Sequence, residues 1–362
     1  MSNTIRIAQI MGKMENGGVE SVVMNYYRHI DRNKIQFDFI VDADSSVPQR
    51  AEIESLGGRV IEVPPYQKIE KYIKSLKKVF KENNYKIVHS HLNTLSVFPL
   101  YAAKRAGVPV RIAHNHSTAG KGEHKKNVLK YMLRPFAKLY PTHLAACSEY
   151  AGDWLFGKGA VGRGEVTVFN NAIDLDKFRF NKEVRDSVRK ELGVEESFVV
   201  GHVGRFCYQK NHEFLIDIFD EIRKRRKDSV LLLIGEGGLM ADVKKQAAEN
   251  GLKDCVRFLG NRTDVNRLYQ AMDVFVLPSR YEGLGMVAVE AQIAGVKTYV
   301  STELPDDVAV SNGIEFIDLS DKAENWAKPI LSEKQALVLD ERSKAFDIKI
   351  AVKSLEDYYF SL

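Results

Sequence analysis

The sequence predicts an α/β protein built from two Rossmann-like domains with parallel sheets. Short apolar strand-like runs alternate with helical runs along the chain, a pattern typical of parallel strands joined by right-handed crossovers. The pattern stops at a polar segment, residues 174–197, and then starts again. A chain of 362 residues is also too long for one ordinary core. Since ligands of such sheets bind at the carboxyl ends of strands, we expect the site in a cleft between two domains.

The strand-like runs define the proposed domains. Those before the polar segment are residues 5–11, 37–41, 59–63, 86–91, 110–116, 143–148 and 166–174. Those after it are residues 198–206, 230–237, 256–261, 274–279 and 297–302. We therefore predict an N-terminal domain over residues 1–175 and a C-terminal domain over residues 176–345.

Composition excludes several classes of protein. Hydrophobic residues make up 44% and charged residues 28% of the chain, an ordinary globular balance. The N-terminus does not have the pattern of a signal peptide, and no apolar run approaches the roughly 20 residues that span a bilayer. Cys147, Cys207 and Cys255 are far apart, so we predict reduced thiols in a cytoplasmic protein. No His, Cys and Asp residues cluster at zinc spacing, so we expect no metal.

Positive charge is concentrated in the first half of the chain. Residues 1–180 contain 27 Lys and Arg against 17 Asp and Glu, whereas the remainder contains 26 against 31. The excess lies in residues 68–86 and 121–140, which have helical apolar spacing. Solvated helix faces are the ordinary interpretation, and attachment to an anionic membrane surface is the more specific one. No nucleic-acid reader motif is present, so nucleic acid is not a predicted partner.

A pair of glycines follows the first predicted strand. Gly17 and Gly18 open a helix, where backbone amides can approach a ligand at the positive helix end. The segment is neither GxGxxG nor a P-loop. A purely structural turn is the alternative interpretation.

Charged residues also follow strands of the second half. Arg205 ends a strand and Lys210 precedes a helix, and two cations beside a helix N-terminus suit a diphosphate. Asn261 and Arg262 follow another strand, where they would either meet a nucleobase or belong to a loop that caps the next helix through Thr263 or Asp264.

Two carboxylates flank the apolar stretch "GLGMVAV". Glu282 precedes a predicted helix and Glu290 lies about one turn inside it. The amides of Gly285, Met286 and Val287 would form an anion site at the helix N-terminus. Because a buried carboxylate needs a partner and accepts hydrogen bonds from hydroxyls, the hydroxyls of a nucleotide sugar fit this arrangement. A capping glutamate with a salt bridge to a nearby Arg is the alternative.

Taken together, these motifs resemble the GT-B retaining glycosyltransferases of family 4, in particular the bacterial exopolysaccharide and capsule branch. The resemblance covers most of the chain in the family's order. It is carried by "GGVES", "RIAHNHS", "NNAID", "VGRFCYQKNHEFLIDIF", "GEG", "FLGNRTDV" and "SRYEGLGMVAVEAQIAG". It implies a GT-B fold, and residues 346–362 resemble the terminal helix that crosses back to the N-terminal domain.

The resemblance implies roles for individual residues. Arg205 and Lys210 would bind the donor diphosphate, Glu290 the ribose hydroxyls, and Glu282 would lie near the sugar ring. "AHNHS" offers His114 and His116 as the sugar-contacting histidine, and register favours His116, which we place in the catalytic set. The other implied donor-binding positions are Gly17, Gly18, Gly204, Gly235, Asn261, Arg262, Gly283, Leu284, Gly285, Met286 and Val287.

The chain departs from the family pattern at two positions. Leu284 stands where many members have Phe, and Lys297 stands where Pro is usual. Neither touches the inferred chemistry, although Leu284 would alter packing at the sugar.

The implied reaction is transfer of a sugar, with retention, from a nucleotide sugar to an acceptor hydroxyl. UDP is the expected nucleotide by frequency in the family, although GDP-linked donors also occur. The expected acceptor is a lipid-linked saccharide at the inner face of the membrane. A strand-end DxD motif is missing, so we predict metal independence and no cofactor besides the nucleotide sugar.

Two alternative functions remain at this point. One is a non-catalytic nucleotide-sugar-binding assembly protein, against which the intact pair of glutamates and pair of cations argue. The other is an NAD-dependent oxidoreductase, which would need a GxGxxG motif that follows none of the strands. Glycoside hydrolysis by two carboxylates is rejected, because the cations imply a diphosphate.

Overall fold

The computed structural model describes residues 4–15, 17–117, 124–332 and 336–362, with the side chains of 124–127 left out. The chain forms two compact units. The first contains the described residues up to Ile173 together with Ala345–Leu362, and the second contains Asp174–Lys344. Part of the predicted basic segment 121–140 lies outside the described residues.

The first unit is a seven-stranded parallel sheet with helices between its strands. Its elements are β1 (Ile5–Gly12), α1 (Gly18–His29), β2 (Ile35–Asp42), α2 (Arg50–Ser55), β3 (Arg59–Val63), α3 (Ile69–Glu82), β4 (Ile87–Ser90), α4 (Val97–Ala106), β5 (Val110–Asn115), α5 (His124–Leu133), β6 (His143–Ala146), α6 (Glu149–Phe156) and β7 (Val166–Val168). The strand order is β3-β2-β1-β4-β5-β6-β7. The chain adds β2 and β3 on one side of β1 and β4 to β7 on the other. The carboxyl ends of β1 and β4 therefore flank the topological switch point of this sheet.

The central strands of this sheet are covered on both faces. Residues 7, 8 and 10 of β1 are at most 1% exposed, as expected for a parallel strand with helices on either side. The apolar face of α1 packs against one face of the sheet through Val22, Val23 and Tyr27. The switch point therefore lies on a rigid scaffold.

The second unit is a six-stranded parallel sheet. Its elements are α7 (Leu175–Phe178), α8 (Lys182–Leu192), β8 (Phe198–Val203), α9 (His212–Arg225), β9 (Ser229–Ile234), α10 (Met240–Glu249), β10 (Val256–Gly260), α11 (Val265–Ala271), β11 (Val274–Leu277), α12 (Met286–Ile293), β12 (Lys297–Ser301), β13 (Ile314–Ile317) and α13 (Ala323–Leu331). The strand order is β10-β9-β8-β11-β12-β13, so the switch point lies between β8 and β11.

The two parallel sheets confirm the predicted α/β class with two Rossmann-like domains. The sequence prediction missed β13, a four-residue edge strand of which only Ile317 is buried. Such a short run has neither the length nor the apolar content of the central strands. The placement of the functional site in a cleft stays a prediction.

The last helix, α14 (Ile348–Ser361), belongs to the first unit. It packs against α1, and Glu356 accepts a hydrogen bond from the backbone N–H of Asp31 at 2.6 Å. Tyr359 is 2% exposed and contacts Phe37 and His89 edge-on. The chain end therefore contributes a buried hydroxyl next to the switch point of the first sheet.

Candidate functional site

In the second unit, the loops after β8 and β11 bring two predicted site residues together. The Lys210 Nζ atom lies 2.6 Å from Glu282 Oε1, and the side chains are 14% and 7% exposed. Gln209 donates a further hydrogen bond to Glu282 Oε2 at 3.0 Å. Because β8 and β11 are neighbours at the switch point, this ion pair lies where open α/β sheets bind ligands.

Glu290 lies in the first turns of α12, as predicted, and its partner is a tyrosine. The Tyr269 hydroxyl lies 2.9 Å from Glu290 Oε2 and 3.1 Å from the Val287 carbonyl oxygen. Burial raises the pKa of Glu290 to about 7, and the hydrogen bond with Tyr269 and the charge of Lys210 act in the opposite direction. This carboxylate is therefore held in place and remains poorly compensated, as a group that binds a ligand would be.

The N-terminus of α12 has no side-chain cap. Gly285 occupies the N-cap position at φ +85°, a left-handed conformation that favours glycine, and Met286 and Val287 begin the helix. A Cβ atom at Gly285 would lie 2.9 Å from Leu304, so the site is also crowded. The uncapped amides of this turn form the positive end of the helix dipole. Gly283 is partly buried and Leu284 is 5% exposed.

Two glycines hold the turn after β8 against the turn after β9. Gly235 has φ +132°, and a Cβ atom there would lie 2.3 Å from the Gly204 carbonyl oxygen. A Cβ atom at Gly204 would lie 3.1 Å from Lys210 Cγ and 3.0 Å from His202 Nε2. These close approaches fix the backbone that carries Lys210, so both glycines support the ion pair.

The remaining predicted site residues of this unit are Arg205, Asn261 and Arg262, and each is at least partly exposed. Arg205 is exposed, and no hydrogen bond or ion pair of its side chain is found among the described residues. Asn261 donates to Glu236 at 3.2 Å. Arg262 forms a two-point ion pair with Asp264 at 2.7 and 2.8 Å. Asp264 stands at the N-cap of α11, yet its side chain makes no cap hydrogen bond, so the capping role considered for it is wrong.

In the first unit, the Glu20 carboxylate lies against the turn formed by Gly17 and Gly18 at the start of α1. Gly17 is the N-cap of α1, and a Cβ atom there would lie 2.4 Å from Glu20 Oε2. Glu20 is 9% exposed, and its other oxygen accepts a hydrogen bond from the Glu15 amide at 3.2 Å. A Cβ atom at Gly18 would meet nothing within 4 Å. A side chain at position 17 would therefore have to displace the Glu20 carboxylate, and the amides that were expected to face a diphosphate share the turn with this negative charge.

Four histidines form a buried cluster at the switch point of the first sheet. They come from "HSH" and "HNH" at the ends of β4 and β5, and none is more than 8% exposed: His89, His91, His114 and His116. The rings of His114 and His116 stack with centroids 4.0 Å apart. The sequence prediction found His114 and His116 and overlooked the other two. Two HxH patterns at the ends of neighbouring parallel strands were the available signal.

All four rings are neutral at neutral pH. Burial lowers the pKa of His89 and of His116 to about 3, and it holds the pKa of His91 and of His114 well below the usual value. Nitrogen atoms of His89, His91 and His114 lie within 4.8 Å of one another, as three metal ligands would. Both ring nitrogens of His89 and of His91 already form hydrogen bonds with other side chains, and a metal would have to displace one on each ring. Metal independence stays a prediction.

The fold matches solved structures over nearly the whole chain. The structure of Anabaena HepE in complex with UDP and glucose has a TM-score of 0.80 at 18% identity, with 99% of this chain and all of that chain covered. Sucrose-phosphate synthase from Thermosynechococcus elongatus has a TM-score of 0.81 at 19% identity, with 99% and 98% covered. These similarities define the class of fold: the two Rossmann-like domains are those of GT-B glycosyltransferases.

Sequence comparisons identify the family. Residues 16–177 match the model of glycosyltransferase family 4, and residues 184–314 match that of group 1 glycosyl transferases. The chain is 34% identical to the glycosyltransferase EpsF of Bacillus subtilis, over 91% of this chain and 88% of that protein. It is 30% identical to the UDP-Gal:α-D-GlcNAc-diphosphoundecaprenol α-1,3-galactosyltransferase of Escherichia coli, over 80% and 78%. The chain therefore belongs to the group 1 glycosyltransferases of family 4.

No helix among the described residues combines the length and the apolar character that crossing a bilayer requires.

A cluster of large apolar side chains is exposed in and after α5. It consists of Val128, Leu129, Tyr131, Met132, Phe136 and Leu139, which are 39–65% exposed. In the same segment, Arg134 is partly buried over the Trp154 ring and the exposed Lys138 pairs with Glu165 at 2.7 Å. This exposed surface, here called the α5 patch, is therefore mainly apolar, with basic residues beside it.

Proposed function

We propose that this glycosyltransferase transfers a sugar, with retention and without a metal, from a UDP-linked donor to a lipid-linked saccharide in exopolysaccharide or capsule synthesis. The observation that supports this most is the geometry of α12. Its first turn offers uncapped amides for a phosphate, and Glu290, held by Tyr269, offers a carboxylate for hydroxyls one turn further on. A nucleoside diphosphate sugar carries both kinds of group.

The remaining proposed roles follow from position and charge. Lys210 and Arg205 would stabilise the negative charge that develops on the leaving diphosphate, together with the α12 amides. Glu282, already bound to Lys210, would lie near the sugar and would accept a hydrogen bond from one of its hydroxyls. Gly283, Leu284, Gly285, Met286 and Val287 would line the same site, and Asn261 and Arg262 would meet the nucleobase. Cations and amides at the diphosphate would replace a divalent ion.

The choice of donor and acceptor is supported by relatives. The Escherichia coli relative is named for a UDP-galactose donor and a diphosphoundecaprenol-linked acceptor, and the Anabaena structures contain UDP, glucose or UDP-glucose. A further relative, CapH of Staphylococcus aureus, is named for capsular polysaccharide biosynthesis and is 25% identical over 99% of this chain. The name of CapH thus supports polysaccharide synthesis, and the name of the Escherichia coli relative supports a lipid-linked acceptor.

A lipid-linked acceptor would place the enzyme at the inner face of the cytoplasmic membrane. The α5 patch supports this location, because an apolar surface with basic residues binds the boundary of an anionic bilayer. We therefore propose a cytoplasmic protein that attaches peripherally through this patch.

The test is a thermal-shift panel of UDP, GDP, ADP and their common sugars, with and without EDTA. We expect UDP and one UDP-sugar to raise the melting temperature of the protein, and we expect EDTA to leave this rise unchanged. Incubation of that sugar with lipid-linked saccharides, followed by NMR of the new anomeric linkage, would then show retention. A shift without transfer to any acceptor would favour a non-catalytic nucleotide-sugar-binding assembly protein, and a shift abolished by EDTA would contradict metal independence.

A further inference from the structure

In the first unit, the side-chain amide of Gln9 is the common origin of two hydrogen-bonded chains of buried groups. In the first chain, Gln9 Nε2 donates to the Tyr359 oxygen at 3.2 Å, and that oxygen lies 2.7 Å from His89 Nδ1. His89 Nε2 in turn lies 3.0 Å from His114 Nδ1. The chain of hydrogen bonds therefore runs from β1 through Tyr359 of α14 to the end of β5.

The second chain is shorter. Gln9 Oε1 lies 2.8 Å from His91 Nε2, and His91 Nδ1 lies 2.9 Å from His116 Nε2. The far nitrogens of both chains, His114 Nε2 and His116 Nδ1, are buried and have no partner among the described residues. Each chain thus ends on one unsatisfied ring nitrogen.

Hydrogen-bond balance fixes the protons of the first chain. A neutral imidazole has one N–H and one bare nitrogen. The Tyr359 oxygen accepts from the Gln9 amide, and its own proton then has His89 Nδ1 as its acceptor, because a buried O–H without one is costly. His89 therefore carries its proton on Nε2 and donates it to His114 Nδ1. The proton of His114 is left on Nε2, which ends the chain as a donor.

The same balance gives the second chain the opposite end. The Gln9 carbonyl oxygen only accepts, so His91 must carry its proton on Nε2. His91 Nδ1 is then bare and accepts from His116 Nε2. The remaining His116 nitrogen, Nδ1, is bare and ends the chain as an acceptor.

This opposition does not depend on which way the Gln9 amide points. With the amide reversed, its nitrogen would donate to His91 and its oxygen would accept from Tyr359. Every hydrogen bond in both chains then reverses, and all four histidines carry their proton on Nδ1 instead of Nε2. His116 becomes the donor and His114 the acceptor.

We propose that Gln9 is a positioning residue whose single amide sets the proton positions of all four histidines, so that His114 and His116 always present one donor and one acceptor. Both residues line a cavity of about 20 Å³ in which there is room for one water-sized group. A hydroxyl both donates and accepts, whereas a phosphate oxygen only accepts and an ammonium group only donates. A group that contacts both nitrogens would therefore have to be one neutral hydroxyl, of water or of a sugar. Only the sugar alternative rests on the proposed function.

The proton positions are measured by ¹⁵N NMR of histidine-labelled protein in EDTA, without any assay of activity. In the unaltered protein we expect one shared tautomer for the four histidines, with the proton on Nε2. In Gln9→Glu both carboxylate oxygens accept, so the Tyr359 proton turns away from His89. His89 and His114 should then switch to the Nδ1–H tautomer, while His91 and His116 keep theirs.

Two further variants separate this role from a loss of folding. Tyr359→Phe breaks the first chain alone. It should therefore alter the ¹⁵N signals of His89 and His114 and leave the signals of His91 and His116 unchanged. Tyr358→Phe is the matched control, because this neighbouring ring packs on Phe169 and His143 and takes no part in either chain. Mixed tautomers in the unaltered protein, or a folded Gln9→Glu protein with all four histidines unchanged, would overturn the proposal.

The source of the hydroxyl is decided by adding UDP, UDP-glucose or UDP-galactose to the same labelled protein. A sugar hydroxyl in the cavity would move the His114 and His116 signals with a UDP-sugar and leave them in place with UDP. An internal water would leave them in place with all three. A shift caused equally by UDP would mean that the pair meets phosphate, which contradicts the selection of a neutral hydroxyl.

Discussion

The ammonium group of Lys210 and the carboxylate of Glu282 form a largely buried ion pair with 2.6 Å between Nζ and Oε1. The two residues lie on loops that follow neighbouring strands, 72 positions apart in the chain. Each charge is compensated by the other, with Gln209 as a second partner of the carboxylate. Any ligand bound here would therefore meet a charge pair that is already arranged.

Substitution of Lys210 should affect both stability and turnover. Lys210→Ala leaves a buried carboxylate without its cation, so we expect a loss of up to about 3 kcal/mol of unfolding free energy. Turnover should fall more than donor affinity, because the charge of the leaving diphosphate grows toward the transition state. Denaturant unfolding and steady-state kinetics measure the two effects.

A double-mutant cycle tests the pairing itself. The losses caused by Lys210→Ala and Glu282→Ala should overlap strongly, so that the double variant is more stable than their sum predicts. Lys182 and Asp186 form the control pair, with the same 2.6 Å separation but with 77% and 60% exposure. That pair should show a coupling of at most about 0.5 kcal/mol. Additive losses for Lys210 and Glu282 would contradict the ion pair.

Glu290→Gln should stabilise the protein above neutral pH. The pKa of Glu290 is raised to about 7 by burial, so the folded state prefers the protonated form. The unfolded state loses this proton near the ordinary value, so stability is lost as pH rises from about 4.5 to about 7. The amide variant does not undergo that loss, so its unfolding free energy at pH 8 should exceed that of the unaltered protein by up to about 3 kcal/mol. Denaturant unfolding of both proteins at pH 5 and pH 8 measures this difference.

The exposed Glu249→Gln on α10 makes the same chemical change at the surface and is the control for that experiment. A Glu290→Gln protein that is equally stable or less stable than the unaltered protein at pH 8 would remove the argument that Glu290 is a poorly compensated carboxylate.

Gly235→Ala should lower stability by at least about 1 kcal/mol and weaken donor binding. The residue has φ +132°, and a methyl group would meet the Gly204 carbonyl, so the turn that supports Lys210 must shift. Gly238→Ala, three residues away, has open space and should behave like the unaltered protein. Thermal unfolding and nucleotide titration compare the two. Equal behaviour of both variants would show that the contact between the turns has no role.

Replacement of the α5 patch should weaken binding to membranes. Met132 and Phe136 are 65% and 50% exposed, so a Met132→Ser, Phe136→Ser protein should fold normally and sediment less with anionic vesicles at low salt. Phe360→Ser, at a residue 49% exposed on α14, is the control and should sediment like the unaltered protein. Undiminished sedimentation of the double variant would exclude the patch as the membrane contact.

Much of the fold was predictable because its signals are local. Central strands such as β9 are continuous apolar runs, with all six residues buried, and they alternate with amphipathic helices. The edge strand β13 gave no such signal, because three of its four residues are only partly buried.

The sites were predictable only in part, since side-chain partners depend on the tertiary fold. The sequence placed Glu290 one turn inside a helix, but it did not indicate that Tyr269 would hold it. It also did not pair Lys210 with Glu282, or join Gln9 and Tyr359 to the histidines. Those partners come from distant segments that only strand order brings together.

The most direct measurement is isothermal titration of UDP in EDTA into the unaltered protein, Glu290→Gln and Glu249→Gln. We predict metal-independent binding to the unaltered protein and to Glu249→Gln. Affinity should be at least about tenfold lower for Glu290→Gln, the equivalent of one lost hydrogen bond to a charged group. Equal affinity in all three proteins, or binding that requires a divalent ion, would contradict the assignment of α12 and Glu290 to the nucleotide.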